Sequence, residues 1–143
     1  MSFSSFNTYG DGNTNVGRAG IPVWLGKPRA LPGGYTVVAS AVVAGRIYEA
    51  GSPVIYDDEA KTIVPFYLNN GVLTAGDGSS SSSNVNGYLY NDIVIDGKTE
   101  FATGAVVVSH GEGILIDRTA GASVAATLKA NVPNVIQVKE YAE

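Results

Sequence analysis

The 143-residue sequence has no cysteine, and only one histidine, one tryptophan and one methionine. Without thiols there can be no disulfide scaffold, no thiol nucleophile and no cysteine-based zinc or iron–sulfur centre. Charge is also scarce, at 15% of residues against the usual quarter or so. Nine basic against thirteen acidic residues leave a net charge of −4, which argues against a grip on phosphate backbones. Long apolar runs are missing. Ala41-Val42-Val43-Ala44 and Ala105-Val106-Val107-Val108 are far too short for a membrane-crossing helix. The opening Met1-Ser2-Phe3-Ser4-Ser5 has no basic cluster ahead of an apolar stretch, so no export signal is expected. These absences lead to the expectation of a soluble chain that binds neither nucleic acid nor membrane.

What is present favours strands. Val and Ile number 27, whereas Leu and Met together number 8. Stiff β-branched side chains pack well on a pleated sheet and lose rotamer freedom in a helix. The 18 glycines are nearly twice the usual share of about 7%, and imply many tight turns. A surface poor in charge and rich in Ser, Thr and Asn suits contact with another protein.

The first 34 residues differ from the rest. Residues 2–34 hold seven glycines, three prolines and four charges (Asp11, Arg18, Lys27 and Arg29), with no helical or alternating apolar period. They also carry Phe3, Phe6, Tyr9, Val16, Ile21, Val23, Trp24 and Leu25, too many large apolar groups for a solvated linker. The expectation is an extended arm, residues 1–34, that lays aromatic anchors on a partner surface, ahead of a β-rich domain, residues 35–143. For residues 21–31, folding back onto the chain's own body is the equal alternative.

From residue 35 the pattern is β. Strands are expected over 35–44, 47–49, 54–56, 62–64, 66–68, 72–74, 88–90, 93–95, 103–109, 113–116 and 135–139, separated by turns such as Asp57-Asp58-Glu59-Ala60-Lys61 and Asn69-Asn70-Gly71. Residues 79–83, all serine, read as a loop. One segment breaks the trend. Residues 119–131 are Ala-rich, with Val124 and Leu128 on one helical face, Thr119 or Ser123 as the cap, and Asn131 and Pro133 as the stop. The expected fold is mainly β, a small barrel or sandwich with one short helix near the C-terminus.

Tests for chemistry return little. The single His110 lies in Ser109-His110-Gly111-Glu112, where a strand-end histidine reads as a surface or interface residue. No G-x-S-x-G elbow accompanies it for a triad. Asp57-Asp58-Glu59 reads as a solvated turn, lacking the alternating spacing of a calcium loop. Gly10-Asp11-Gly12 and Gly111-Glu112-Gly113 lack the third glycine and lysine of a phosphate loop, and each sets a carboxylate where phosphate would sit. A sugar-cleaving cleft would call for several aromatics, yet the one Trp is Trp24. Tyr88 and Tyr90 share a face by the two-residue period; that face is either packed or a glycan or protein contact. The expectation is a structural or binding protein and not an enzyme, with no catalytic, cofactor or metal residues.

A family resemblance rests on particular phrases. Gly17-Arg18-Ala19-Gly20-Ile21-Pro22-Val23-Trp24, Tyr48-Glu49-Ala50-Gly51-Ser52-Pro53-Val54-Ile55-Tyr56-Asp57 and Gly87-Tyr88-Leu89-Tyr90-Asn91-Asp92-Ile93 resemble the head-fibre and capsid-decoration proteins of tailed bacteriophages. So does Gly104-Ala105-Val106-Val107-Val108-Ser109-His110-Gly111-Glu112, leading through Asp117-Arg118 and the Ala-rich helix to Asn131-Val132-Pro133-Asn134-Val135. The resemblance implies a virion protein on the outer capsid surface, bound to the major capsid protein as a homo-oligomer, a trimer before a dimer. Some members touch host-surface glycans. Phe3, Phe6, Tyr9, Ile21, Val23 and Trp24 are the expected capsid contacts. The other class of function kept in view is a carbohydrate-binding or adhesin module using Tyr88, Tyr90 and the Ser-rich loop.

Overall fold

The computed structural model describes residues 22–76, 81–95 and 103–139. Eleven short strands are found there: β1 (Tyr35–Val37), β2 (Ile47–Tyr48), β3 (Pro53–Asp57), β4 (Thr62–Asn69), β5 (Val72–Ala75), β6 (Gly87–Leu89), β7 (Ile93–Val94), β8 (Thr103–Gly104), β9 (Val106–Val107), β10 (His110–Leu115) and β11 (Val135–Val138). One helix, α1 (Ala125–Asn131), precedes β11. The fold is mainly β and barrel-like, with its short helix near the C-terminus.

Seven strands form one sheet in the order β8-β1-β4-β3-β6-β9, with β5 also on β4. Its two end strands, β8 and β9, are separated in sequence by Ala105 alone. Two residue steps span at most about 7 Å, so the sheet must curl until its edges nearly meet. That closure leaves few unpaired edges. The expected single strand over 103–109 is broken at Ala105 for this reason, because the chain steps there from one edge of the sheet to the other.

Both sheet faces are buried. Inside the barrel lie Tyr35, Val37, Tyr48, Val54, Ile63, Leu89, Ile93, Ile95 and Val106. On the outer face Trp24, Phe66, Tyr88 and Val107 pack with Ile114, Leu128 and Val135 from β10, α1 and β11. Neighbours such as Leu89 and Tyr88, or Val106 and Val107, therefore go to opposite cores, as the two-residue period requires. This accounts for strands that read as continuous apolar runs and not as alternating ones.

β4 is continuous where two strands were expected. Pro65 falls between Ile63, the last residue paired with β1, and Phe66, the first paired with β5. A proline is tolerated where the ladder changes partner, since its missing N–H breaks no continuing bond. The same exchange shortens β1, expected over 35–44. Once β5 occupies β4, β1 has no partner, and Ala39–Ala41 form a 3-10 turn. Asn70 and Gly71 both have positive φ, at 54° and 82°, and close the β4–β5 hairpin as a two-residue turn of the kind that matches strand twist. The helix begins as expected at Thr119, whose Oγ1 accepts from the Gly121 N–H at 3.1 Å. Ala120–Val124 are 3-10 and lead into α1, and Gly121 is packed so closely that a Cβ there would lie 2.8 Å from Leu128 Cδ1. Asn131 Nδ2 ties the far end to the Ser83 and Val85 carbonyls.

Tyr35 sits in the barrel core with its hydroxyl donating to Asp58 Oδ1 at 2.8 Å. Burial first, and then this bond to a carboxylate, push its phenol up to about 12. The neutral form is held in the fold, while the unfolded chain loses that proton near the ordinary phenol value of about 10. Stability is therefore complete below pH 10 and falls as pH rises through 12. Burial raises Tyr48 and Tyr88 in the same direction. Alkaline denaturation followed by circular dichroism is expected to show loss of stability over that window, and Tyr35→Phe should make the slope shallower.

Candidate functional site

Residues 22–34 do not form a free arm. Trp24 makes an antiparallel bridge with Ile114, the Leu25 N–H donates to the Gly113 carbonyl at 3.0 Å, and the Leu115 N–H donates to Val23 at 2.7 Å. Val23–Leu25 thus bridge the free edge of β10 over a short stretch. Arg118 Nη1 donates to the Pro22 carbonyl at 2.9 Å, and the Leu31 N–H donates to Val106 at 2.8 Å. The Trp24 indole, 4% exposed, meets Tyr88 edge-on at 6.1 Å, and its Nε1 donates to the Tyr90 carbonyl at 3.0 Å. An indole so placed has both its apolar body and its polar handle satisfied.

Two expectations are corrected here. Val23 and Trp24 are core residues of their own chain, so neither side chain is available to anchor a capsid. The boundary expected between residues 34 and 35 falls inside packed structure, since the body begins at Pro22 among the described residues. Fold-back, the equal alternative for residues 21–31, holds for 22–31. Phe3, Phe6, Tyr9 and Ile21 lie outside the described residues.

His110 also differs from expectation. It is buried under the strap formed by residues 22–34, edge-on to Trp24 at 5.5 Å. Its Nε2 stands 2.6 Å from the Leu25 carbonyl oxygen, an acceptor, so Nε2 carries the proton. The histidine acts as a clasp between the strap and β10. Tyr88, one of the two tyrosines proposed for glycan contact, is fully buried, and Tyr90 is half-buried against the same core. That placement removes Tyr88 as a sugar platform. The 57–59 turn is exposed as expected. Asp57 Oδ1 accepts from the Glu59 and Ala60 N–H groups, and Asp58 pairs with Lys61 at 2.8 Å. The Lys61 bond, aided by the one from Tyr35, holds the Asp58 carboxyl below its ordinary range. Among the described residues no cluster of three acids or histidines is placed to hold a metal.

The feature that stands out lies on the ribbon of β2 and β7. Ile47 pairs with Val94 and Tyr48 with Ile93. The bonds of Gly45 and Ile95 to one another's strand extend the ladder by one step. Opposite residues share a face, so Tyr48 and Ile93 enter the barrel core while Ile47 and Val94 point outward, 37% and 65% exposed. Val43 and Leu68, at 38% and 44%, are exposed beside them. Ile47 lines a hollow of about 290 Å³ with Val43 and Arg46, and a second of about 230 Å³ with Tyr67 and Leu68. Between these hollows the Arg46 guanidinium stacks over the Tyr67 ring at 3.9 Å, a cation–π contact that partly offsets an Nε buried without a hydrogen-bond partner.

Sequence reading did not single out Ile47, Val94, Val43 or Leu68. A signal was present in Ile93-Val94-Ile95, where the middle residue of a surface strand would ordinarily be polar. Comparison with known protein families, with curated proteins and with solved structures gives no match to this chain.

The strap carries a stability prediction. Trp24→Ala should cost about 3–5 kcal/mol, the usual range for removing a large buried aromatic, as read by urea denaturation. Removing residues 2–34 should abolish cooperative unfolding, because Val23, Trp24 and the edge bonds to β10 go together.

Proposed function

We propose that this chain is a structural virion protein that binds the outer surface of a tailed-phage capsid as a homo-oligomer. The observation that carries this reading is the outward apolar face of the β2–β7 ribbon. Its Ile47–Val94 pair adds nothing to either core, and exposed apolar patches on finished folds mark contact surfaces. The family resemblance agrees in kind, since it runs in order through the strap, the β2–β3 region, β6–β7 and the segment from Gly104 to Val135.

Capsid contact is assigned to the chain before Pro22, where Phe3, Phe6, Tyr9 and Ile21 supply apolar anchors. One such segment would bind weakly, since ordering it costs about 1–2 kcal/mol per residue. Copies joined in an oligomer bind together and gain by avidity.

Purified heads of the cognate phage lacking this protein provide the test. The full chain should co-sediment with heads, and a variant lacking residues 2–21 should lose at least tenfold of the bound fraction. The emission of Trp24 checks that the variant is folded. Undiminished sedimentation of a folded variant, or none by the full chain, would overturn the reading.

A further inference from the structure

We infer that Asn70 is a site of spontaneous covalent modification, its side-chain amide becoming a carboxylate through a cyclic imide formed with Gly71. The fold shields the chain's other Asn-Gly pair, Asn86-Gly87, from the same reaction. The inference goes beyond the proposed function and does not depend on what the chain binds.

The chemistry needs only water and base. The Gly71 backbone nitrogen, having given its proton to base, attacks Asn70 Cγ. The N–Cγ bond forms, the Cγ–Nδ2 bond breaks, and ammonia leaves with a proton returned by water. Water then opens the imide on one of two sides. Opening at Cγ gives an aspartate in the original backbone. Opening at the Asn70 main-chain carbonyl gives an isoaspartate, whose backbone runs through Cβ and Cγ and is one carbon longer. Glycine obstructs the attack least, because it has no side chain beside the reacting nitrogen.

The Asn-Gly step occurs twice in the sequence, at 70–71 and 86–87, and the fold treats the two oppositely. Asn70 and Gly71 are exposed at the tip of the β4–β5 hairpin. Among the described residues no hydrogen bond engages the Asn70 amide. A Cβ built on Gly71 would meet nothing within 4 Å, so the imide ring has room. The tip also opens readily. Its apolar neighbours Leu68 and Val72 are 44% and 64% exposed, so few buried contacts resist the local fraying that brings nitrogen and Cγ together. Asn86 is clamped instead. Its Oδ1 accepts from the Tyr56 N–H at 2.9 Å and its Nδ2 donates to the Tyr56 carbonyl at 3.1 Å. Gly87 is buried in β6, where even a Cβ would lie 2.7 Å from Val106 Cγ1. Closing an imide there breaks both hydrogen bonds and disturbs the pairing of β6 with β3.

The two products differ in effect. Aspartate still suits the positive φ of 54° at position 70, and adds one negative charge to a chain at −4. Isoaspartate lengthens a two-residue loop whose length sets the hairpin register. The closing pairs Asn69–Val72 and Leu68–Leu73 then lose their alignment.

The full chain, held in mildly alkaline buffer below the window in which Tyr35 ionises, provides the test, with intact mass followed over time and fragment-ion sequencing to assign the site. Asn70 should take up the mass of an amide-to-acid exchange at least tenfold faster than Asn86, with isoaspartate resolved among its products. In urea, where Tyr56 no longer holds Asn86, the two rates should converge. Asn70→Gly, which keeps a turn-forming pair, should abolish the fast mass gain with an unchanged circular dichroism spectrum. If that variant misfolds, Asn70→Asp, with the same turn preference, should show the same loss. Equal rates at the two sites in the folded chain would overturn the inference, as would a folded chain in which Asn70 keeps its amide while urea releases it. A fast mass gain that persists in a folded Asn70 variant would do the same.

Discussion

Gly104 and Val106 belong to opposite edges of the same seven-stranded sheet, yet one residue joins them. That short link fixes much else in the molecule. It obliges the sheet to curl into a nearly closed barrel, which makes an inside that must be filled and an outside that must be covered. Tyr35, Tyr48, Ile63 and Leu89 fill the inside. The outside requires further elements, and the chain supplies them as α1, β10, β11 and the strap over residues 22–34. Closure also disposes of most sheet edges, which in a β-rich chain of few charges would otherwise invite uncontrolled pairing.

The strap shows how a glycine- and proline-rich segment becomes structure. Its one strand-like stretch among the described residues, Val23 to Leu25, is too short to set a period. What orders it is a single large side chain. Trp24 buries its rings against Tyr88 and His110 and gives its N–H to Tyr90, while His110 grips the next carbonyl along. The one histidine and the one tryptophan of the chain thus serve the same join. His110, expected as a surface or interface residue, is instead buried in this join.

With two interiors packed, the apolar side chains that remain outside either core stand out. The β2–β7 ribbon is conspicuous for presenting aliphatic side chains where alternation calls for polar ones.

Local chemistry was legible in the sequence. β-branched abundance gave the class of fold, Asn70-Gly71 and the 57–61 run gave two hairpin turns, and Thr119, Leu128 and Asn131 gave the cap, buried face and stop of the helix. Such features depend on residues within a few positions of one another, so order along the chain suffices to find them. The site residues were not legible in the same way. Whether Trp24 faced a partner or its own core, whether Tyr88 was platform or filler, and whether Ile47 was covered all depended on which distant strand lay alongside. Those outcomes followed from barrel closure and from the exchange of β1 for β5 along β4, pairings between residues far apart in the chain. Periodicity states that a side chain has a face, and only the assembled sheet decides what that face meets.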